Sequence, residues 1–279
     1  MTTTVWVNGS VRDEEAATVP ALDHGLMVGD GVFETCAVRR GEAFALSRHL
    51  RRLRRSADIL GLTCPDESVL RGAVAETLRV AGPLPLGRLR ITLTGGAGPL
   101  GSERGPAGPG LVVAVAPGTP WPERIAVVSV PWTRNERSAV AGAKTTSYAE
   151  NVVALARARS QGAHEALLGN TRGELCEGTG SNVVLVLDGR LVTPPLSSGC
   201  LAGITRELLL EWAADDGFPI SEETVPAEAL SRAEDVLLTS STRDVQHVST
   251  VDGRQLPVTE PGRRAAELFA LRSAGDLDP

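Results

Sequence analysis

Between Leu46 and Leu60 the apolar positions fall at alternating spacings of four and three: Leu46, Leu50, Leu53, Ala57 and Leu60. That spacing makes one buried stripe on an α-helix, with Ser47 as its N-cap and Gly61 as its stop. Before it, Val5–Val7 runs into Asn8-Gly9, the signature of a strand and tight turn. Glycines at 25, 29 and 31 predict close backbone turns, then strands at Val32–Val38 and Ala43–Leu46 joined by Arg39-Arg40-Gly41. A second helix is predicted from the Asp66 cap to Val80, closed by Gly82-Pro83. Arg88–Thr94 and Leu111–Ala116 read as strands. The Gly- and Pro-rich stretch between them predicts a mobile loop.

The second half predicts a strand at Ile125–Val130, then a helix over Ala149–Gln161 with Val152, Val153, Leu155 and Ala156 available for burial. Strands follow at Glu165–Leu168, Gly173–Cys176, Asn182–Leu187 and Arg190–Thr193, the last two joined by Asp188-Gly189. A helix starts at Gly203 and runs to Ala214. Strands at Ile220–Thr224, Asp235–Thr239 and Val245–Thr250 precede a final helix over Pro261–Arg272. This order is mixed α+β in two parts, not the alternation of a doubly wound sheet. Pro117–Pro122 reads as the linker, so the expected domains are residues 1–116 and 123–279.

Composition narrows the function. A chain of 279 residues with 42% hydrophobic and 22% charged content is ordinary for a soluble globule. Its net charge is −6 and its basic residues are dispersed apart from Arg48–Arg55, which predicts no nucleic-acid partner. No apolar run approaches the roughly 20 residues that span a bilayer, and the first residues show no secretory pattern. Cys36, Cys64, Cys176 and Cys200 are far apart in sequence, and read as reduced thiols of a cytoplasmic protein.

The chemistry starts at Lys144. It is the only lysine, the other basic residues being arginine, and it lies four residues before the only tyrosine, Tyr148. An arginine bias can come from base composition and a lone lysine from chance. An amine, however, can lose its proton and attack a carbonyl to form a Schiff base, which a guanidinium cannot do. Glu177 lies in a Gly-rich turn between apolar strands, where it is either a solvated acid or the partner of a cationic ring nitrogen. Leu201-Ala202-Gly203-Ile204-Thr205 delivers unpaired N–H groups at a helix start, a ready anion site. Thr239-Ser240-Ser241-Thr242 offers hydroxyls, or is an ordinary Ser/Thr turn. Arg52 belongs to an arginine run whose usual reading is a solvated face. His49 and His247 have no metal-ligand spacing, so no metal is expected. Amine, anion site, hydroxyl turn, acid and arginine together are the parts that hold pyridoxal 5'-phosphate.

The same motifs resemble the class IV (fold-type IV) pyridoxal-phosphate enzymes, which include branched-chain and D-amino-acid aminotransferases and 4-amino-4-deoxychorismate lyases. The resemblance covers nearly the whole chain: GDGVFET at 29–35, HLRRL at 49–53, the lysine segment, CEGTGSN, LAGITRE and TSST, in that order. It implies a small α/β N-terminal domain, a larger pseudo-barrel C-terminal domain and a homodimer. It implies that Lys144 is the catalytic Schiff-base lysine and Arg52 a phosphate ligand. Glu177 would face the pyridine nitrogen and Leu201 the ring. Ile204, Thr205, Ser241 and Thr242 would cup the phosphate. Tyr148 would hydrogen-bond the ring hydroxyl, although the corresponding tyrosine of branched-chain enzymes comes one residue later.

Phe33 and Arg90 are the candidate substrate residues. The arginine of an ITRG-like strand in D-amino-acid aminotransferases is missing from ITLTGG here, and Arg90 is the candidate to substitute for it. Thr35 stands where branched-chain enzymes usually carry glycine. These departures and the short chain favour the lyase, which releases pyruvate and p-aminobenzoate for folate synthesis. An aminotransferase is the alternative.

Overall fold

The structure, a computed structural model, describes residues 3–279. It divides into two compact units, each considered by itself. Unit 1 comprises residues 1–120, Ala143–Tyr148 and Asp278; unit 2 comprises Trp121–Gly142, Ala149–Leu277 and Pro279. The first break falls after Pro120. The split is not contiguous, because the lysine segment joins unit 1.

Unit 1 is built from β1 (Thr4–Val7), β2 (Ser10–Arg12), α1 (His24–Met27), β3 (Gly31–Arg39), β4 (Glu42–Ala43), α2 (Leu46–Leu60), α3 (Glu67–Ala81), β5 (Leu86–Thr94) and β6 (Gly110–Pro117). Its strands form one antiparallel sheet in the order β2-β1-β6-β5-β3-β4. Alternation is clean in β5 and β6: Leu89, Ile91, Leu93, Leu111, Val113 and Val115 point to one face and are buried. Leu50, Leu53 and Ala57 of α2 and Leu70, Ala73 and Val74 of α3 complete this core. Each fully buried aliphatic side chain contributes about 2 kcal/mol by area.

Several details differ from the sequence reading. The strand expected at Ala43–Leu46 is only Glu42–Ala43, and Leu46 already opens α2. The N-cap of α2 is Ala45, held in the left-handed region at φ 54°, and Ser47 lies inside the helix. Ser47 instead gives its amide to Asp278 at 2.8 Å, an acid distant in sequence that local pattern could not reveal. The loop predicted to be mobile carries one side chain tied to neighbouring elements. Arg104 donates to both Asp30 oxygens at 2.7 Å and to the carbonyls of Leu60 and Gly61, which α2 leaves without helical partners.

Unit 2 contains β7 (Arg124–Arg134), α4 (Ala149–Ser160), β8 (Glu165–Asn170), β9 (Leu175–Gly178), β10 (Asn182–Leu187), β11 (Arg190–Thr193), α5 (Ile204–Asp215), β12 (Ser221–Glu222), β13 (Asp235–Ser240), β14 (Asp244–Val251), β15 (Arg254–Gln255) and α6 (Glu260–Gly275). Its mixed sheet runs β12-β11-β10-β13-β14-β7-β8-β9, with β15 on β14. β10 is buried along its whole length and β13 over nearly all of it, which explains their continuous apolar runs. The Asp188-Gly189 hairpin forms with both residues at positive φ.

The predicted buried face of α4 is wrong. Val152 and Val153 are 63% and 53% exposed, and Asn151, Ala154 and Ala158 face inward. The small alanines let α4 lie close to Val128 and Ala166 of β7 and β8, so size decides the face, not hydrophobicity. Among the described residues, no helix is long and apolar enough to cross a membrane.

Candidate active site

In unit 1 the lysine segment docks on a strand edge. β4 pairs only with Val38 and Arg39 of β3, which leaves the Gly31–Phe33 end of that strand unpaired on one side. Thr145 bridges Val32 there, the Phe33 amide donates to the Lys144 carbonyl at 2.9 Å, and the Thr146 amide donates to Gly31 at 2.8 Å. Gly31 has to be small: a Cβ there would stand 2.9 Å from the Leu93 carbonyl. The Lys144 amide donates to Ser56 of α2 at 3.0 Å. Lys144 Nζ donates to the Tyr148 hydroxyl at 3.2 Å and stands 4.4 Å from the Phe33 ring centroid. Arg90 stacks on that same ring at 3.7 Å, and Tyr148 meets it edge-on. Unit 1 therefore gathers Phe33, Arg90, Lys144 and Tyr148 around one aromatic ring.

Arg52 is buried one helical turn before Ser56. Its guanidinium makes a two-pronged pair with Glu34, both bonds 2.7 Å, and His49 Nδ1 reaches the same carboxylate at 2.6 Å. Glu34 is fully buried. Burial alone would raise its pKa, but Arg52 and then His49 overcome this and hold it at about 2. Burial pushes the His49 pKa down, and Glu34 only partly offsets that shift. Glu34 escaped the sequence reading, although a lone acid inside an apolar strand run was the available signal.

In unit 2, Glu177 sits in β9 with its carboxylate fixed from two sides. Arg134 Nε donates to one oxygen at 3.1 Å and the Leu201 amide to the other at 2.9 Å. Arg134 also donates to Asn151, which donates on to the Thr179 carbonyl. Leu201 is held again through its carbonyl, which accepts from Asn182 at 2.8 Å. Two residues on, Gly203 is the N-cap of α5 and brings no side-chain cap, so Ile204 and Thr205 open a helix whose first amides point outward. A Cβ on Gly203 would come within 1.9 Å of Asn182 Oδ1. Asn182 pairs across the sheet with Thr239, whose buried hydroxyl has no hydrogen-bond partner among the described residues. Ser241 and Thr242 follow in the turn after β13. Arg134, Asn151 and Asn182 were missed from sequence because they act through other residues.

A profile of the Amino-transferase class IV family matches residues 31–251. The chain belongs to that family. As a class IV aminotransferase-family protein it is a pyridoxal-phosphate-dependent enzyme with the mixed α+β fold of that group. It is 32% identical to a putative branched-chain-amino-acid aminotransferase of Methanocaldococcus jannaschii, over 95% of this chain and 93% of that one. It is 31% identical to a bifunctional aminodeoxychorismate lyase / D-amino acid transaminase of Mycobacterium tuberculosis, covering 98% and 99%. The solved branched-chain aminotransferase of Thermoproteus uzoniensis with norvaline superposes at a TM-score of 0.89, with 31% identity, covering 99% of this chain and 96% of the other.

The residues present fit the cofactor of the class IV family. An amine lies beside a phenol, an acid is braced by a cation, and an uncapped helix start adjoins a buried hydroxyl and a glycine whose Cβ position is occupied.

Proposed function

We propose that this class IV enzyme transfers the amino group of an α-amino acid to a 2-oxo acid, with Lys144 as its catalytic amine and Arg90 as the group that receives the substrate carboxylate. The observation that carries this reading is the shared Phe33 ring: a guanidinium stacks on it at 3.7 Å and the amine stands 4.4 Å from its centroid. A cation one ring away from the amine suits a substrate with carboxylate and amino group on adjacent carbons. It also supplies the arginine that ITLTGG lacks.

Bound pyridoxal phosphate supplies an electron sink for the pair left when the substrate α-proton departs. The rest of the apparatus is the chain's own. Lys144 Nζ would be the amine that holds the cofactor through its aldehyde, and the base that moves the substrate α-proton. Tyr148 accepts from Nζ and fixes its direction. Glu177, fixed by Arg134 and the Leu201 amide, would hold the proton on the pyridine nitrogen, and the Leu201 side chain would lie against the ring. Ile204 and Thr205 would donate amides, and Ser241 and Thr242 hydroxyls, to the phosphate, with Arg52 as its charged ligand. A homodimer in the cytoplasm belongs to the same reading. The exposed Val152 and Val153 and the four free thiols support it.

The lyase is the second reading, favoured by Thr35 and by the likeness to the bifunctional Mycobacterium tuberculosis protein. One experiment separates the two. Holoenzyme is mixed with single D- or L-amino acids without an acceptor, and separately with 4-amino-4-deoxychorismate. Release of one equivalent of 2-oxo acid per site, abolished in Lys144→Ala and weakened through KM in Arg90→Ala, supports transfer. Release of pyruvate and p-aminobenzoate without any amino-acid half-reaction overturns it in favour of the lyase.

A further inference from the structure

Unit 2 buries an ion pair that none of these roles uses. The side chain of Glu165, at the start of β8, is 1% exposed and that of Arg243, at the end of the hydroxyl turn, is 8% exposed; Arg243 Nη2 meets the Glu165 carboxylate at 2.7 Å. The same carboxylate accepts from the Thr179 amide at 3.1 Å, from the Thr179 hydroxyl and, more distantly, from Ser181. Arg243 also stacks on Trp121 at 4.3 Å.

The chain connections give this pair its meaning. Thr179–Ser181 is the turn that leaves Glu177, and it is closed by the Gly178 amide on the Ser181 carbonyl. Arg243 closes the turn holding Ser241 and Thr242 by donating its amide to Ser240 at 3.1 Å. One carboxylate therefore ties the turn behind the ring acid to the turn that carries the hydroxyls. A buried ion pair is a poor stabiliser, since an apolar pair of equal volume does as well. Its advantage is geometric, because charged partners with several fixed donors tolerate only one arrangement.

We propose that Glu165 and Arg243 are positioning residues: their pair fixes the Ser241-Thr242 turn relative to Glu177 and thereby sets the affinity for pyridoxal phosphate. This rests on the assignment of Ser241, Thr242 and Glu177 to the cofactor in the preceding section. It predicts a role that appears in cofactor binding and not merely in folding.

The test uses the full chain, stripped of cofactor and titrated with pyridoxal phosphate, with melting curves taken with and without it. Glu165→Gln and Arg243→Gln should each raise the cofactor Kd about tenfold or more, with strong non-additivity in the double variant. The gap between holo and apo Tm should narrow in step, while Arg243→Lys recovers most of the affinity. A Kd within twofold of wild type, or equal falls of apo and holo Tm, overturns the proposal. If Arg243→Gln does not fold, the apolar pair Glu165→Leu with Arg243→Met is measured instead. Weakened binding in that folded variant supports the brace, and unchanged binding overturns it. Ser241→Ala with Thr242→Val is run alongside. If that variant binds cofactor normally, the assignment of the turn fails. If it binds weakly while the Arg243 variants bind normally, the brace alone fails.

Discussion

Glu34 offers a quantitative test of how unit 1 is held together. The carboxyl is fully buried between Arg52 and His49, and its pKa falls from 4.5 to about 2. A carboxylate with a depressed folded-state pKa contributes stability that is present above the unfolded value and lost as pH falls through the folded one. At about 1.4 kcal/mol per pH unit the contribution is about 3 kcal/mol, complete above pH 4.5 and gone near pH 2. By pH 3 about 2 kcal/mol of it is lost. His49 acts in the same direction over a higher window, because its pKa is lowered by burial and its neutral form must charge as pH falls below 6.5. Glu34→Gln keeps the shape and removes the charge, so it should cost about 3 kcal/mol at pH 7. The difference between wild type and variant should then shrink to about 1 kcal/mol at pH 3. Hydrogen exchange of the α2 amides, corrected for intrinsic rates, reads unit 1 without interference from unit 2. A difference that stays constant from pH 7 to pH 3 would refute the electrostatic account and leave only packing.

Further outcomes follow from other contacts. Gly203→Ala should weaken pyridoxal phosphate binding at least about tenfold by equilibrium titration, because its Cβ collides with Asn182 and moves the start of α5. Arg104→Ala should raise hydrogen exchange throughout residues 95–110 while leaving the β5 and β6 amides protected, since it removes the bonds to Asp30, Leu60 and Gly61. Asp278→Ala should destabilise the first turn of α2 by about 1 kcal/mol, measured as faster exchange at Ser47, because no side chain of the helix replaces that cap.

Most elements were legible because they follow from local rules. The four-and-three stripe of α2, the alternation of β5 and the Asp-Gly hairpin each lie within one stretch of chain. What escaped depends on partners far away. The cap on Ser47 comes from Asp278, and the inward face of α4 is chosen by the closeness of β7 and β8. The same division holds for chemistry. Lys144 and Glu177 stood out because each is isolated in kind or setting. Glu34, Arg134, Asn182 and the Glu165–Arg243 pair act by holding another side chain or turn, and no spacing encodes such a partnership. Arg90 lies between these cases, since the strand was evident but its stacking on Phe33 requires β3 and β5 in register.

The edge of β3 that accepts Thr145 has a consequence for synthesis. The strands and helices of unit 1 have all been synthesised by Pro117, yet the Gly31–Phe33 edge stays open until β7 and the segment after it have been translated. During that interval the nascent chain presents an unsatisfied strand end, the kind of surface on which neighbouring polypeptides pair and aggregate. The amine therefore arrives after every strand and helix of unit 1 and closes the edge. A fragment ending at Pro120 would expose that edge permanently, so an attempt to express it alone should yield inclusion bodies unless a peptide covering Ala143–Tyr148 is supplied.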